Sequence, residues 1–169
     1  SRPDLVVVGN VIRKTNPEAV AMREMGLNHI SMPEAIARFG IGEKHSIVVA
    51  GTHGKTTTSS LIAHLLMDAA LDPSYLVGGA LVGYRESFRT GGGDFFAIEG
   101  DEYDTAYFDK GPKFRHYKPQ TAIVSSLEFD HADIFDRVED VEAAFEKLIE
   151  IVPEDGHLIA WAGAKRAVR

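Results

Sequence analysis

Apolar residues along this chain fall into two rhythms. Residues 5–8, 46–50, 94–99 and 121–127 are mainly apolar runs, each broken off by a glycine or a polar cluster. Runs of that length without alternation predict strands buried on both faces, as in a parallel sheet. Shorter runs at 29–31, 75–77 and 157–161 predict further strands. Between them the apolar positions recur at helical spacing. Ala19, Val20, Met22 and Met25 form one stripe, Leu61, Ile62, Leu65 and Leu66 a second, and Val141, Ala144, Phe145, Leu148, Ile149 and Val152 a third. Strand and helix patterns that alternate in this way predict an α/β fold around a mostly parallel sheet.

Punctuation residues sharpen the boundaries. Asn16-Pro17-Glu18 predicts an N-cap with proline in the first turn, and Gly26 a helix stop. Ser31-Met32-Pro33-Glu34 opens another helix, ending near Phe39-Gly40. A short polar link at 40–44 divides the chain into residues 1–42, read as the tail of one α/β unit, and residues 43–169, read as a second. Residues 83–93 are glycine-rich and basic, with Arg85 and Arg89, and show no helical or strand period. They read either as a loop that closes over a substrate or as a solvated connection.

The candidate chemistry collects where the buried runs end, the place where ligands sit in open α/β sheets. After Ala50 comes Gly51-Thr52-His53-Gly54-Lys55-Thr56-Thr57-Thr58. Glycines let a loop curl so that several amides face one anion, and the following helix start adds its unpaired N–H groups and dipole. Lys55 is placed to reach β- and γ-phosphates, and Thr56 to set a hydroxyl on Mg²⁺. The loop is shorter than the general phosphate-loop pattern, with Val49 where that pattern has its first glycine. The competing reading is a glycine-rich turn with a surface lysine. The agreement of strand, Gly-Lys-Thr and helix weighs against it.

Two further strand ends are rich in metal-capable side chains. Glu99 closes one run and is followed by Asp101, Glu102 and Asp104. Acids packed beyond a strand end repel one another unless a cation is near, and Glu99 is the best placed to hold Mg²⁺. A solvated acidic loop is the alternative, stronger for the other three. The next run ends in Glu128-Phe129-Asp130-His131-Ala132-Asp133, where His131 is either a ligand or a hydrogen-bonded loop residue. Asn10, in the turn after residue 8, is either a ligand contact or a turn asparagine.

Composition narrows the partners. The chain has 169 residues, of which 44% are hydrophobic, enough for one domain or a small domain and part of another. Its formal net charge is -7 and it has no basic block, which argues against nucleic acid. No apolar run approaches the ~20 residues that span a bilayer. The chain has no cysteine, so disulfides and thiolate metal sites are excluded, and a cytoplasmic location fits. The two ends read as those of a piece of a longer protein.

Three stretches taken together, residues 51–58, 99–104 and 128–133, resemble the Mur ligases in order and spacing. These are the ATP-dependent amide-forming enzymes of peptidoglycan precursors. Within that family, residues 98–109, 113–119 and 127–135 are most similar to members that join L-Ala-γ-D-Glu-meso-diaminopimelate to UDP-N-acetylmuramate in cell-wall recycling. The L-alanine-adding members typically carry serine where this chain has Tyr103. The resemblance implies that residues 1–42 end a Rossmann-like UDP-sugar domain. It implies that residues 43–169 begin a central P-loop ATPase-type domain, a mostly parallel sheet flanked by helices. The rest of that domain and an amine-binding C-terminal domain are expected beyond this stretch, so the stretch alone is expected not to ligate. The resemblance further implies that Gly51, Thr52, His53, Gly54, Lys55, Thr56 and Thr57 bind ATP phosphates. It assigns Mg²⁺ to Thr56, Glu99 and His131, and catalysis to Lys55, Glu99 and His131. Asn10 and Arg85 are candidates for substrate contact. Several relatives hold a second Mg²⁺ with a carbamylated lysine. Phe145 stands at that place here, with Lys147 near it but out of register, and the second-metal ligand stays open. The implied reaction activates the lactyl carboxylate as an acyl phosphate, which an amine then attacks. The rival readings are an L-alanine-adding ligase, an ATP-binding or hydrolysing module without ligase activity, and a small-molecule kinase. The truncated loop and the histidine motif argue against the kinase.

Overall fold

The computed structural model describes residues 2–79, 83, 86–128 and 138–163. The first unit is a strand–helix–strand crossing. β1 (Val6–Val8) and β2 (His29–Ser31) pair in parallel, with Val6 opposite His29, and α1 (Pro17–Glu24) joins them. Asn16 caps α1 as expected, its Oδ1 accepting from the amides of Glu18 at 2.9 Å and Ala19 at 3.3 Å. The strand is less buried than its all-valine run suggests. Val8 is 5% exposed but Val7 is 40% exposed, because among the described residues this sheet is two strands wide.

α2 (Met32–Ala35) opens on Ser31, whose hydroxyl accepts from the Glu34 amide at 3.2 Å. The sequence predicts one continuous α-helix to residue 39. Instead the coil widens to a π-helix at Ile36–Ile41 and stops at Gly42, whose φ is +55°. The chain then enters the second unit.

There, β3 (His45–Ala50), α3 (Lys55–Asp68), β4 (Ser74–Leu76), β5 (Phe88–Arg89) and β6 (Phe95–Gly100) follow in order. A hairpin of β7 (Asp104–Ala106) and β8 (Asp109–Pro112) comes next, then a 3₁₀ turn at Lys113–His116. β9 (Thr121–Val124), α4 (Val138–Glu150) and β10 (His157–Ala160) complete the unit. The six-stranded sheet runs β10-β9-β3-β6-β4-β5 and is parallel except at β5. β5 corrects the reading of residues 83–93 as free of strand. Leu76 pairs with Phe88 and Tyr75 with Arg89, too short a stretch to show a period.

Side chains alternate across β6. Phe96 and Ile98 join the core with Phe114, Phe145 and Leu148, while Ala97 packs with Ala63 of α3 and Tyr75. α3 and α4 therefore cover opposite faces of the sheet. The α/β architecture with a mostly parallel sheet flanked by helices is the one the apolar pattern predicts. β3 occupies the middle, with Val48, Val49 and Ala50 fully buried, and its carboxyl end delivers the glycine loop. Among the described residues, no helix is long and apolar enough to cross a membrane.

Candidate functional site

The loop after β3 is fastened from one side. The Thr52 amide donates to the Ser126 carbonyl at 3.1 Å, and the His53 amide to Ser126 Oγ at 2.8 Å. Thr52 Oγ1 donates to the Glu128 carbonyl at 3.0 Å and accepts from the Glu128 amide at 3.0 Å. Ser125 Oγ donates to the carbonyls of Ala50 at 3.1 Å and His53 at 2.5 Å. Only glycine serves at position 51. Its φ is +136°, and a Cβ there would lie 2.3 Å from Ser125 Oγ.

This fastening spends the amides of Thr52 and His53 on the protein itself. The amides that remain for an anion are those at the start of α3. Its N-cap is Gly54, with φ +83°, and no side chain caps it. The first-turn N–H groups have no partner within the helix, and they carry the positive end of its dipole. They border a cavity of about 370 Å³ lined by residues 52–57, Asp101 and Tyr103. A phosphate chain fits this donor set on chemistry alone.

Lys55 leans inward. Its Nζ donates to the Gly51 carbonyl at 2.7 Å and stands 3.4 Å from Glu102 Oε2. Both side chains are nearly buried, at 12% and 3% exposure. Acids at the end of β6 were expected to need a cation, and lysines supply it. Lys113 pairs with Asp101 at 2.8 Å and Lys110 with Asp104 at 2.7 Å. Glu99 is satisfied differently. Its Oε2 accepts from Thr56 Oγ1 at 3.1 Å, and its Oε1 from Ser59 Oγ at 3.3 Å and from the Gly78 amide at 2.5 Å. Thr56 and Glu99 thus set two hard oxygen donors side by side at the edge of the loop, a combination suited to Mg²⁺. Among the described residues there is no cluster of three or more His, Asp or Glu around a common point.

A second cavity of about 340 Å³ opens where the two units meet. Asn10, Glu99, Asp101, Lys113 and Tyr117 line it, with Gly78. Asp101 lines both cavities, so the two adjoin at one carboxylate. Tyr117 is buried, and that burial, then the charge of Asp101, pushes its phenol well above the ordinary tyrosine range.

The structure brings together Lys55, Thr56 and Glu99 beside the loop, and places Asn10 on the wall of the cavity that Glu99 also lines. His131 and Arg85 lie outside the described residues. Phe145 points into the core, 2% exposed, with its ring 6.3 Å from that of Phe114, and Lys147 is exposed. Sequence reasoning gave no separate role to Glu102 or Lys113. A hairpin reading of residues 104–112 would have found Lys113, because it folds that residue back beside Asp101.

Comparison with known proteins places the chain in a family. Residues 49–168 match the family description "Mur ligase middle domain". The chain is 42% identical over 158 residues to the UDP-N-acetylmuramate–L-alanyl-γ-D-glutamyl-meso-2,6-diaminoheptandioate ligase of Escherichia coli (strain K12), covering 94% of this chain and 35% of that protein. It is 35% identical over 165 residues to the UDP-N-acetylmuramate–L-alanine ligase of Clostridium novyi (strain NT), covering 98% and 34%. The crystal structure of the UDP-N-acetylmuramate:L-alanyl-γ-D-glutamyl-meso-diaminopimelate ligase from Neisseria meningitides superposes with a TM-score of 0.90 at 38% identity, over 96% of this chain and 53% of that one. The chain spans about a third of the length of the curated relatives it matches. Because the family description covers residues 49–168, the larger part of the chain, and the relatives match nearly all of it, the chain belongs to the Mur ligase family.

Proposed function

We propose that the parent protein is an ATP-dependent ligase that joins L-Ala-γ-D-Glu-meso-diaminopimelate to UDP-N-acetylmuramate, a murein peptide ligase of cell-wall recycling. The observation that carries this reading is the seating of Thr56 against Glu99, 3.1 Å apart, between the uncapped start of α3 and the cavity at the unit junction. Two tripeptide-adding relatives are 42% and 38% identical and two L-alanine-adding relatives 40% and 35%, and the tripeptide-adding ligases of known structure superpose with TM-scores of 0.90 and 0.84, which favours the tripeptide as amine. Residues 1–42 are read as the end of the UDP-sugar domain and residues 43–169 as the start of the ATP domain.

In this reading the α3 amides and Lys55 hold the phosphates of ATP. Thr56 and Glu99 would hold Mg²⁺, with His131 as a further ligand. The metal, when bound, neutralises charge between the phosphates. Lys55 gives up the Gly51 carbonyl to reach a phosphate, while Glu102 keeps its stem directed across the loop. A carboxylate is a poor acylating agent because oxide would have to leave. Phosphorylation supplies a leaving group, and the protein's part is positioning and charge neutralisation. The junction cavity next to Glu99 holds the acceptor carboxylate, with Asn10 as a candidate contact on its wall and Arg85 a candidate by sequence alone, and closing the site keeps water from the acyl phosphate.

The test uses the full-length parent with UDP-N-acetylmuramate, ATP, Mg²⁺ and either free L-alanine or the tripeptide, with products read by mass spectrometry. A UDP-muramyl-tripeptide, lost in Lys55→Ala, is expected. An alanine product alone reassigns the amine. ADP release without any amide product overturns the ligase reading.

A further inference from the structure

Tyr117 also lines another hollow of about 340 Å³. Its charged lining is one-sided. Arg38, Arg115 and Lys118, with His116, face a single carboxylate, Glu34. This runs against a chain whose formal net charge is -7. Arg38, Arg115 and Lys118 are exposed, and together they set up a local positive field that attracts an anion.

Two backbone irregularities meet at the same hollow. Arg38 comes from the π-helix at Ile36–Ile41, and π turns are rare and gather at functional sites. Lys118 has φ +44°, left-handed backbone that a side-chain-bearing residue seldom adopts, and Pro119 follows it. A residue before proline is normally extended, so Lys118 is strained twice over. His116 is held in place through Asp109, whose carboxylate lies 2.7 Å from its Nε2.

We propose that this hollow is a binding site for a small oxyanion carrying two or more negative charges, separate from the glycine loop. The two walls belong to different units, Arg38 to the first and Arg115 to the second. A ligand bridging them fastens the units together. The site stands whether or not the parent is a ligase.

The experiment is calorimetric titration of the full-length parent with inorganic pyrophosphate and, separately, citrate, at fixed ionic strength. Three variants are compared: Arg38→Ala/Arg115→Ala, Lys118→Gly and Lys55→Met. At least one anion is expected to bind saturably. Pyrophosphate alone marks a phosphate-bearing ligand, citrate alone a polycarboxylate, and both a general polyanion site. Removing the arginines is expected to weaken binding roughly tenfold or more, since each charge-assisted contact is worth about that factor. Lys118→Gly is expected to weaken binding while leaving the thermal midpoint unchanged or higher, a split that a structural role does not produce. Lys55→Met is expected to retain the site. Absence of saturable binding by both anions overturns the proposal. So does equal affinity in the arginine variant, or a loss confined to Lys55→Met in protein that a thermal melt shows to be folded at the titration temperature, which would place the anion in the glycine loop.

Discussion

Thr56, on the first turn of α3, donates its hydroxyl to Glu99 Oε2 at the end of β6 across 3.1 Å. Two elements far apart in sequence meet there through oxygen atoms alone. If those atoms hold Mg²⁺, Glu99→Gln in the full-length parent lowers kcat about a hundredfold or more, since the metal's charge stabilisation amounts to several kcal/mol. The thermal midpoint stays close to that of the parent, because the amide oxygen still accepts from Ser59 and Gly78 while its NH₂ donates to the Thr56 hydroxyl oxygen. Steady-state kinetics alongside a thermal melt checks both halves. Unchanged turnover would remove Glu99 from the metal site.

Lys55 and Glu102 form a nearly buried pair, so removing one partner costs more than the pair itself is worth. Lys55→Met is expected to destabilise the chain by about 3–5 kcal/mol, and Lys55→Met/Glu102→Gln by clearly less. Urea denaturation of the two variants measures the difference. Equal losses would mean that the carboxylate does not depend on the ammonium.

Gly51 and Gly9 make a controlled comparison. A Cβ at Gly51 would stand 2.9 Å from the Ser126 amide nitrogen and 2.3 Å from Ser125 Oγ, whereas nothing lies within 4 Å of one at Gly9. Gly51→Ala is expected to cost more than about 1 kcal/mol and to disturb the loop, and Gly9→Ala to stay within about 0.5 kcal/mol. Comparison of denaturation midpoints tests the pair.

Phe145→Ala is expected to destabilise by about 3–5 kcal/mol, as for other large core aromatics. The side chain is 2% exposed among Phe114 and Leu148. Phe145→Lys should fare worse, because it buries an ammonium in that cluster. A stable, folded Phe145→Lys would show that this place accepts a polar group after all.

Tyr117 predicts an alkaline limit. Its native phenol ionises well above the ordinary value, so the native state keeps a proton that the unfolded state releases. The contribution is fully present below about pH 10, the unfolded value, and falls away above it by about 1.4 kcal/mol per pH unit until the native phenol also ionises. Tyr117→Phe should flatten that slope between pH 10 and 11. Urea midpoints across this range decide it.

The parallel sheet and the glycine loop were legible because both are local. Residues 46–50 form a buried run and the next five form a turn, and no distant residue is needed to see either. The partners of the acids were not. Asp101 and Lys113 are twelve positions apart and meet because residues 104–112 fold back as a hairpin. That hairpin lacks an Asn-Gly or Asp-Gly turn, and Tyr107-Phe108 sits at its tip instead. β5 escaped notice because its pairing with β4 rests on two residues. The π-helix at Ile36–Ile41 leaves no mark in the apolar spacing of so short a segment.

The hairpin tip also reaches the first unit. Tyr107 Oη accepts from Arg23 Nη1 at 3.0 Å, and the Phe108 ring meets His29 edge-on at 4.9 Å. At the hairpin's root stand Glu102 and Lys113, which hold Lys55 and Asp101. The hairpin is therefore a strut with one end braced on the first unit and the other on Lys55. A shift of the first unit would load the Arg23–Tyr107 bond and, through the hairpin, the root that carries Glu102. Any turn of one unit against the other would thus be felt at the carboxylate that holds a single ammonium group.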